Sequence, residues 1–381
     1  MSDTRIRDRV LCNPLVKLEK GVSYPFIDME AITPGIKAVG SVESSEYSGQ
    51  SCSKFCSGDT LMARITPCLE NGKIAQYTGG IGKAFGSTEF FVFRGIPKIT
   101  DNDYIYYLMS TSYIRKSAVN SMTGASGRQR ADITFISKIK WNFPSYQEQK
   151  RIARILSAYD KLIEINNKRI KVLEQMAENL YKEWFVRFRF PGHESVPFEN
   201  GLPKGWQIRR ISEISSIKAG GDRPSAFSEN PADGMIVPIF SNGIENDGLY
   251  GFTDIPQISN ESITISARGT VGYICLRRVP YVPIVRLIAI VPDASIVTAL
   301  YLYYYLQSDS IIANGTSQQQ ITIPMVSRKR VLVPPEALLK RFDSIESPIW
   351  SERDKLKEQN RKLSKQRDLL LPRLMSGKLE V

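Results

Sequence analysis

The stretch that decides the fold spans residues 145–186 and reads SYQEQKRIARILSAYDKLIEINNKRIKVLEQMAENLYKEWFV. Its apolar residues recur alternately four and three positions apart, which is the heptad spacing of a coiled-coil seam. Only Asn166 breaks the series, and a lone polar residue at a seam tends to fix register and partner number. At 1.5 Å per residue, a helix of roughly 40 residues is about 60 Å long. The predicted seam consists of Ile152, Leu156, Tyr159, Ile163, Ile170, Leu173, Ala177, Leu180 and Trp184.

Both ends of this helix carry recognisable signals. Ser145 and Glu148 have the spacing of a capping box, in which each side chain bonds the backbone N–H of the other residue. Pro191 and Gly192 end the helical region. We therefore assign residues 145–190 to a spacer helix that separates two globular modules.

A second long helix is predicted at 335–374, with Pro335 at its first position. Its apolar stripe is thin, because the alternate seam positions Glu346, Arg353, Asn360 and Arg367 are polar, and these could face a partner protein. Such a helix needs the first one for stability, so we expect an antiparallel coiled coil. Pro348 could kink or restart the helix. The seven-residue ladder is Phe342, Ile349, Leu356, Leu363 and Leu370.

The two halves of the chain repeat each other at a shift of 190 residues, most clearly near the helix ends. Short apolar runs at 60–65, 73–77 and 89–93 predict strands, as do runs at 262–266, 273–276 and 285–291. Tyrosine-rich segments at 104–114 and 300–306 predict helices, whose tyrosines we interpret as a packed face and not as a base-stacking surface. The expected fold is mixed α/β. Modules at 1–144 and 191–334 alternate with helices at 145–190 and 335–381, related by a pseudo-two-fold axis.

The composition favours an anionic partner, because the chain carries a formal net charge of +12. The first module is basic, whereas the second has as many acidic as basic side chains, so local clusters must support the argument. No apolar run reaches membrane-spanning length, and the N-terminus has no secretory signal. Five cysteines without redox-motif spacing are typical of reduced thiols in the cytoplasm.

The sequence lacks the residue patterns of catalysis. The single histidine, His193, excludes Ser-His, Cys-His and multi-histidine arrangements within this chain. Neither a dinucleotide-binding nor a phosphate-binding glycine loop is present. The spacing of Cys52, Cys56 and Cys68 fits no standard zinc pattern. We therefore predict no catalytic residue, no metal and no cofactor.

Polar loops after the tyrosine-rich helices are the better candidates for binding. Arginine forks suit guanine and glutamine suits adenine in the major groove of DNA, so equivalent loops with different side chains suit two readers of different sequences. The alternative is a solvated polar loop or a helix cap. The candidate readers are Arg128, Gln129 and Arg130 in the first module, and Gln318, Gln319 and Gln320 in the second.

Glycine turns provide a second set of candidates. The turns at 71–73 and 268–272 follow related strands, and glycine permits close approach of the backbone to a ligand. Lys73 and Arg268 are candidate phosphate contacts, and Arg223 beside Gly220-Gly221 is another; purely structural turns are the alternative. Two such modules on a pseudo-two-fold rod would match a DNA site whose half-sites lie roughly 34 Å, or a multiple of that, apart.

These features together resemble the specificity subunit of Type I restriction–modification enzymes, over essentially the whole chain. The resemblance implies two target recognition domains that each read one half of a bipartite double-stranded DNA site, and spacer helices that set the gap. It also implies two docked methyltransferase subunits and translocase–nuclease (restriction) subunits, which would bind the methyl donor and ATP. The resemblance rests on Pro144, Gln149-Lys150-Arg151-Ile152, Ile155-Leu156, Asp160, Leu173-Glu174-Gln175-Met176, Trp184-Phe185-Val186, Phe188, Gly201-Leu202-Pro203-Lys204-Gly205-Trp206 and Arg367-Asp368-Leu369-Leu370-Leu371-Pro372-Arg373-Leu374-Met375-Ser376-Gly377.

Two other readings of the sequence remain open. A pure assembly adaptor would bind protein in a salt-insensitive way and would have no affinity for DNA. A DNA-modifying enzyme would cut or methylate DNA unaided, which the missing catalytic signatures argue against.

Overall fold

In the computed structural model, the structure describes residues 3–40, 42–79, 82–125, 127–308 and 320–380. The chain divides into two compact units, Met1–Ile170 with Lys355–Val381 and Lys171–Asp354. Each unit holds one globular module together with a segment of each long helix.

The first module combines short strands with three helices before the first long helix begins. Its strands are β1 (Thr4–Arg5), β2 (Val10–Cys12), β3 (Ser23–Ile27), β4 (Glu43–Glu46), β5 (Ser53–Cys56), β6 (Thr60–Ala63), β7 (Ile74–Gln76), β8 (Lys83–Gly86), β9 (Phe90–Gly95) and β10 (Lys140–Trp141). Its helices are α1 (Asn102–Ser110), α2 (Ser112–Asn120) and α3 (Ile133–Lys138), and the long helix is α4 (Tyr146–Tyr181), which continues as a π-helical turn (Lys182–Val186).

Two four-stranded sheets form this module. One has the order β2-β9-β6-β7 and is antiparallel; the other has the order β4-β3-β8-β5, with β3 and β8 parallel. Strand β9 is buried on both faces, because alternate side chains of a strand point to opposite sides. Phe91 and Phe93 join the core under α1, and Phe90 and Val92 join the core between the sheets. This explains why the run reads as continuously apolar.

The second module has strands β11 to β21 and three short helices before the last long helix. Its strands are β11 (Phe198–Glu199), β12 (Leu202–Pro203), β13 (Gln207–Arg210), β14 (Ser215–Ala219), β15 (Val237–Phe240), β16 (Leu249–Thr253), β17 (Ser262–Ile265), β18 (Ile274–Arg277), β19 (Val282–Pro283), β20 (Ile288–Pro292) and β21 (Arg330–Val333). Its helices are α5 (Ile211–Ile214), α6 (Ala299–Ser308) and α7 (Ile323–Arg328), and the last helix is α8 (Glu336–Met375).

The sheets of the second module repeat the topology of the first. The antiparallel order β14-β20-β17-β18 corresponds to β2-β9-β6-β7, and the sheet β16-β15-β19 keeps the antiparallel and parallel pairs of β4-β3-β8. Each module is also closed by an antiparallel pair between its first and last strands, β1 with β10 and β13 with β21. The predicted mixed α/β duplication is therefore confirmed.

The constant shift of 190 holds only from α3 onward. The helices α3 and α7, the strands β10 and β21, and the helices α4 and α8 all begin 190 residues apart, whereas α1 and α6 begin at Asn102 and Ala299. Turns of different length between the earlier strands account for the change, because loops tolerate insertions that a sheet does not.

Some predicted boundaries are corrected by backbone conformation. The expected helix at 104–114 is two helices, divided at Thr111, whose side chain accepts from the Ile114 backbone and caps α2. The strand expected at 285–291 begins at Ile288, because Val285 and Arg286 have positive φ angles of 53° and 59°. The tyrosines of α1 and α6 pack as expected: Tyr104, Tyr106, Tyr107, Tyr301 and Tyr304 are all buried.

Helix α4 begins with the predicted capping box. The backbone N–H of Ser145 donates to Glu148 Oε2 at 2.8 Å, and that of Glu148 donates to Ser145 Oγ at 3.3 Å. The seam is apolar at most of the predicted positions, but Tyr159 is only half-buried. Asp160 takes the buried place beside it, which corrects the predicted seam.

In the first unit the two helix segments run antiparallel. Arg367 Nη1 of α8 donates to Asp160 Oδ1 of α4 at 2.5 Å, and Asn166 Nδ2 donates to Asn360 Oδ1 at 2.9 Å. As the residue number rises along α4 it falls along α8, which defines the antiparallel direction. Asn166 therefore meets a polar partner inside the seam, so the predicted break is a paired amide and not a defect.

In the second unit the other two segments are antiparallel as well. Arg353 of α8 lies 3.8 Å from Glu174 of α4, and the Tyr181 ring contacts Phe342 at 6.5 Å between centroids. Phe342, Leu356 and Leu374 are buried, whereas Ile349, Leu363 and Leu370 are partly buried.

The polar seam residues of α8 turn inward within their own unit, and not toward a separate protein. Glu346 is fully buried against Tyr304, Arg367 is buried against Asp160, and Arg353 lies 3.9 Å from the centre of the Trp350 ring. The suggestion that they face a partner is therefore wrong. Pro348 neither ends nor restarts α8, which is continuous through it.

Candidate nucleic-acid interface

In the first module, two loops that are distant in sequence meet at the ends of strands. Residues 64–72 form the turn between β6 and β7, and residues 121–132 link α2 to α3. The backbone N–H of Ala131 donates to the Arg64 carbonyl at 2.8 Å, and that of Thr66 donates to the Gln129 carbonyl at 3.0 Å. Ile65 and Arg130 form a β-bridge between the loops. These backbone contacts hold the predicted donor loop against the turn.

Three charged side chains converge where the loops meet. Glu89, directly before β9, accepts from Arg130 Nη2 at 2.6 Å and from Arg64 Nε at 3.2 Å. The Arg130 hydrogen bond, followed by that of Arg64, outweighs the opposing effect of burial and holds the pKa of the Glu89 carboxyl below its usual value. Glu89 therefore stays ionised near neutral pH and neutralises one of the two arginines.

The other predicted residues of the first module differ in exposure. Arg128 is exposed, and Gln129 is half-buried with its backbone N–H donating to Thr66 Oγ1 at 3.1 Å. Lys73 is half-buried, and its ammonium donates to the Met29 carbonyl at 2.7 Å. That contact supports a structural role for Lys73, and its phosphate contact stays a prediction.

In the second module, Arg268 occupies the corresponding turn between β17 and β18 and is exposed. Its Nη2 donates to Gln320 Oε1 at 3.3 Å, and the backbone N–H of Ile321 donates to the Ala267 carbonyl at 3.2 Å. Gln318 and Gln319 lie outside the described residues. Arg223 is exposed, with its guanidinium carbon 4.5 Å from the Phe227 ring centre, and is not in contact with Arg268 or Gln320.

The two modules therefore build one backbone arrangement with different side chains. The bond from Ala131 to Arg64 corresponds to the bond from Ile321 to Ala267, since both tie the residue after the donor loop to the end of the central strand. The first module carries Arg64, Arg130 and Glu89 at this place, and the second carries Arg268 and Gln320. Such a surface offers several N–H donors to an anionic or acceptor-rich ligand.

Sequence reasoning overlooked Arg64 and Glu89. Each is a charged residue at the very end of a buried strand, Arg64 after β6 and Glu89 before β9. That position was visible in the sequence, but their meeting was not, because it depends on the pairing of β6 with β9.

Within the described residues, no group of histidine, cysteine, aspartate and glutamate side chains could hold a metal ion. The cysteines there are free; Cys275 is buried, and Cys12, Cys52, Cys56 and Cys68 are partly buried. No helix among the described residues is both long and apolar enough to cross a membrane.

A duplicated α/β fold that presents different polar donors at the same turn defines a two-headed binding protein. The family model for the Type I restriction modification DNA specificity domain matches residues 14–175 and again residues 203–340. The chain belongs to this family. Its relatives are non-catalytic specificity subunits of type I restriction systems, and the chain is such a subunit.

Individual relatives agree with this assignment. The chain is 26% identical to the Type I restriction enzyme MjaIX specificity subunit of Methanocaldococcus jannaschii, over 74% of this chain and 69% of that protein. It is also 26% identical to the putative type I restriction enzyme MjaX specificity subunit of the same organism, over 94% and 88% of the two chains. The crystal structure of the Type-I restriction-modification system S subunit from M. genitalium has the same fold, with a TM-score of 0.59, 18% identity, and coverage of 98% and 95%.

Proposed function

We propose that this chain is the subunit that gives a type I restriction–modification complex its DNA sequence specificity, with each module reading one half of a bipartite site. Residues 1–144 and 191–334 would be the recognition domains, and residues 145–190 and 335–381 the spacers. One observation carries the proposal: the same fold occurs twice, with Arg64 and Arg130 at the turn in one copy and Arg268 and Gln320 in the other.

The side chains at the two turns suit direct readout of bases. An arginine fork pairs with guanine O6 and N7, and a glutamine amide pairs with adenine N6 and N7. Exposed Arg128 and Arg223 are suited to phosphate oxygens, which position a protein on the duplex without reading its sequence. Gln318 and Gln319 are proposed as further readers of the second half-site, and Lys73 as a further phosphate contact.

The helices would set the distance between half-sites and provide the docking surface for two methyltransferase subunits, which restriction subunits would join. In each unit the segments of α4 and α8 are antiparallel and hold polar pairs in their seam, which supports a spacer of fixed register. The chemistry would belong to the partners, so the chain itself would need no cofactor. We place this assembly in the cytoplasm, where its duplex DNA substrate and reduced thiols belong.

The test is to map methylated adenines in a genome that carries this chain with its methyltransferase. We expect a bipartite motif with a fixed gap. Replacing Gln318–Gln320 by alanine should change one half of the motif and retain the other. Equal weakening of both halves would mean that these residues are general anchors. A chain that binds its partners at high salt but never DNA would be an adaptor.

A further inference from the structure

The arginines of the first module are held by a carboxylate in a way that selects their free edge. Arg130 bonds Glu89 through Nε at 3.0 Å and through Nη2 at 2.6 Å, which is the side of the guanidinium. Arg64 bonds Glu89 through Nε at 3.2 Å. Among the residues that the structure describes, Nη1 of both arginines and Nη2 of Arg64 make no hydrogen bond. The outer Nη1–Nη2 edge of each group is therefore presented outward.

That outer edge has the geometry of a guanine reader. The two nitrogens of the edge are N–H donors in a fixed fork, and guanine is the base that shows two adjacent acceptors, O6 and N7, in the major groove. A free arginine must order a long side chain to make this contact, whereas an arginine already held at Nε loses less rotamer entropy on binding. Burial strengthens the hold, because the Glu89 side chain is only 19% exposed.

We infer that Glu89 is the positioning residue of the first recognition domain, which aligns Arg64 and Arg130 to read guanines in one half-site. Glu89 touches no base itself. It keeps the two forks apart and aimed outward, and its charge offsets one of the two positive charges that would otherwise repel each other. This inference rests on the proposed function and adds to it the class of base that this module reads.

The test uses the full chain in complex with its methyltransferase. Once the wild-type motif is mapped, methylation rates are measured on duplexes in which each position of each half-site is varied in turn. Glu89→Gln keeps the shape and removes the charge. We expect its preference for guanine in one half-site to fall by about 5- to 150-fold, the discrimination that a bidentate pair supplies. The other half-site should be read as before.

Two further variants keep the test decisive. Arg64→Lys keeps the charge but loses the fork, so it should lose guanine preference at one position while overall binding persists. It carries the test if Glu89→Gln does not assemble. Glu261→Gln is the matched control, because it removes a carboxylate that accepts from Arg278 Nε at 3.1 Å in the second module. It should leave both half-sites unchanged.

Several outcomes would overturn the inference. They are a wild-type motif without guanine in either half-site, an equal loss at all positions in Glu89→Gln, or unchanged guanine preference in Glu89→Gln or Arg64→Lys. A wild-type complex with no sequence preference at all would instead reject the proposed function, and the inference with it.

Discussion

Asp160 and Arg367 show how much depends on single buried charges in the helix seam. The side chains are 8% and 10% exposed, and Asp160 also accepts from the Tyr107 hydroxyl, while Arg367 donates to the Gly35 carbonyl at 2.9 Å. A buried pair contributes little over a well-packed apolar pair, but removing one partner leaves an uncompensated charge. This network joins α1, α4 and α8 within the first unit.

We expect Asp160→Asn to lower the free energy of unfolding by about 3 kcal/mol, because Arg367 would lose its carboxylate partner while buried. Chemical denaturation of the full chain measures this. Glu164→Gln is the control: it removes an exposed pair with Lys168 and should cost less than about 1 kcal/mol. The double variant Asp160→Leu/Arg367→Met should recover most of the loss. An Asp160→Asn variant as stable as Glu164→Gln would contradict this account.

Glu346 makes stability depend on pH in the second unit. It is fully buried, its Oε2 accepts from the Tyr304 hydroxyl at 3.3 Å, and its Oε1 has no partner among the described residues. Burial, with a smaller contribution from Asp343, raises the pKa of its carboxyl to about 7. The folded state therefore holds the proton more tightly than the unfolded state, so this contribution to stability is present at low pH and is lost as the pH rises through about 7.

Glu346→Gln should remove that dependence, since the amide stays neutral. At pH 8 we expect the variant to be more stable than the wild type by about 2 kcal/mol, and at pH 4.5 nearly equal to it. Unfolding midpoints measured at several pH values would show this. Glu358→Gln, an exposed position on the same helix, should leave the profile unchanged. A wild type more stable than Glu346→Gln at pH 8 would contradict the assigned cause.

At the residue scale, the sequence predicted apolar seam positions better than polar ones. Ile152, Leu156 and Phe342 are buried as heptad spacing requires. Asp160 and Glu346 were not assigned to the seam, because nothing local to them indicates burial. Their places are set by Arg367 on the other helix and by Tyr304 on α6, and such partners become visible only when distant segments have been brought together.

At the scale of elements, helix ends were predicted well because they are local. The capping box at Ser145 needs only four consecutive residues to form. The predicted kink at Pro348 did not occur, although proline lacks the N–H that a helix interior uses. Packing of the neighbouring Ile349 and Trp350 onto the core of the second unit accompanies the continuous helix there. Tertiary contacts have overruled a local signal.

Ser145→Ala should destabilise the first unit by about 1 kcal/mol, the usual contribution of an N-cap side chain. The reason is that the Glu148 backbone N–H would lose its acceptor at the start of α4. Thermal unfolding measures the effect. Ser344→Ala, at an exposed place inside α8, is the matched control and should be neutral or slightly stabilising, because alanine is the better helix former. Equal effects of the two substitutions would contradict a capping role.

At the scale of the whole molecule, duplication was predictable and its details were not. The equal spacing of α3, β10 and α4 from α7, β21 and α8 is what made the repeat visible. The sheets diverge in turn length, so a constant shift loses their correspondence, although the strand order is the same. The candidate reading surface was found only in part, since its donor loop is continuous in sequence while Arg64 and Glu89 join it through strand pairing.

The proposed ruler makes a prediction about the whole molecule. Duplicating residues 163–169 in α4 and 357–363 in α8 adds one heptad to each helix, which preserves the apolar seam and keeps the antiparallel pairs in register. Seven residues lengthen a helix by about 10 Å, which equals roughly three base pairs of duplex. Methylation mapping should therefore recover both half-sites with a gap longer by about three base pairs.

A seven-residue insertion after Asn200, in the linker that follows α4, is the control for that experiment. It adds the same length of chain but no helix, so the gap should stay as in the wild type. If the heptad insertions left the gap unchanged while both half-sites were still read, the helices would not determine the spacing. The position of the modules on DNA would then be set by the docked subunits.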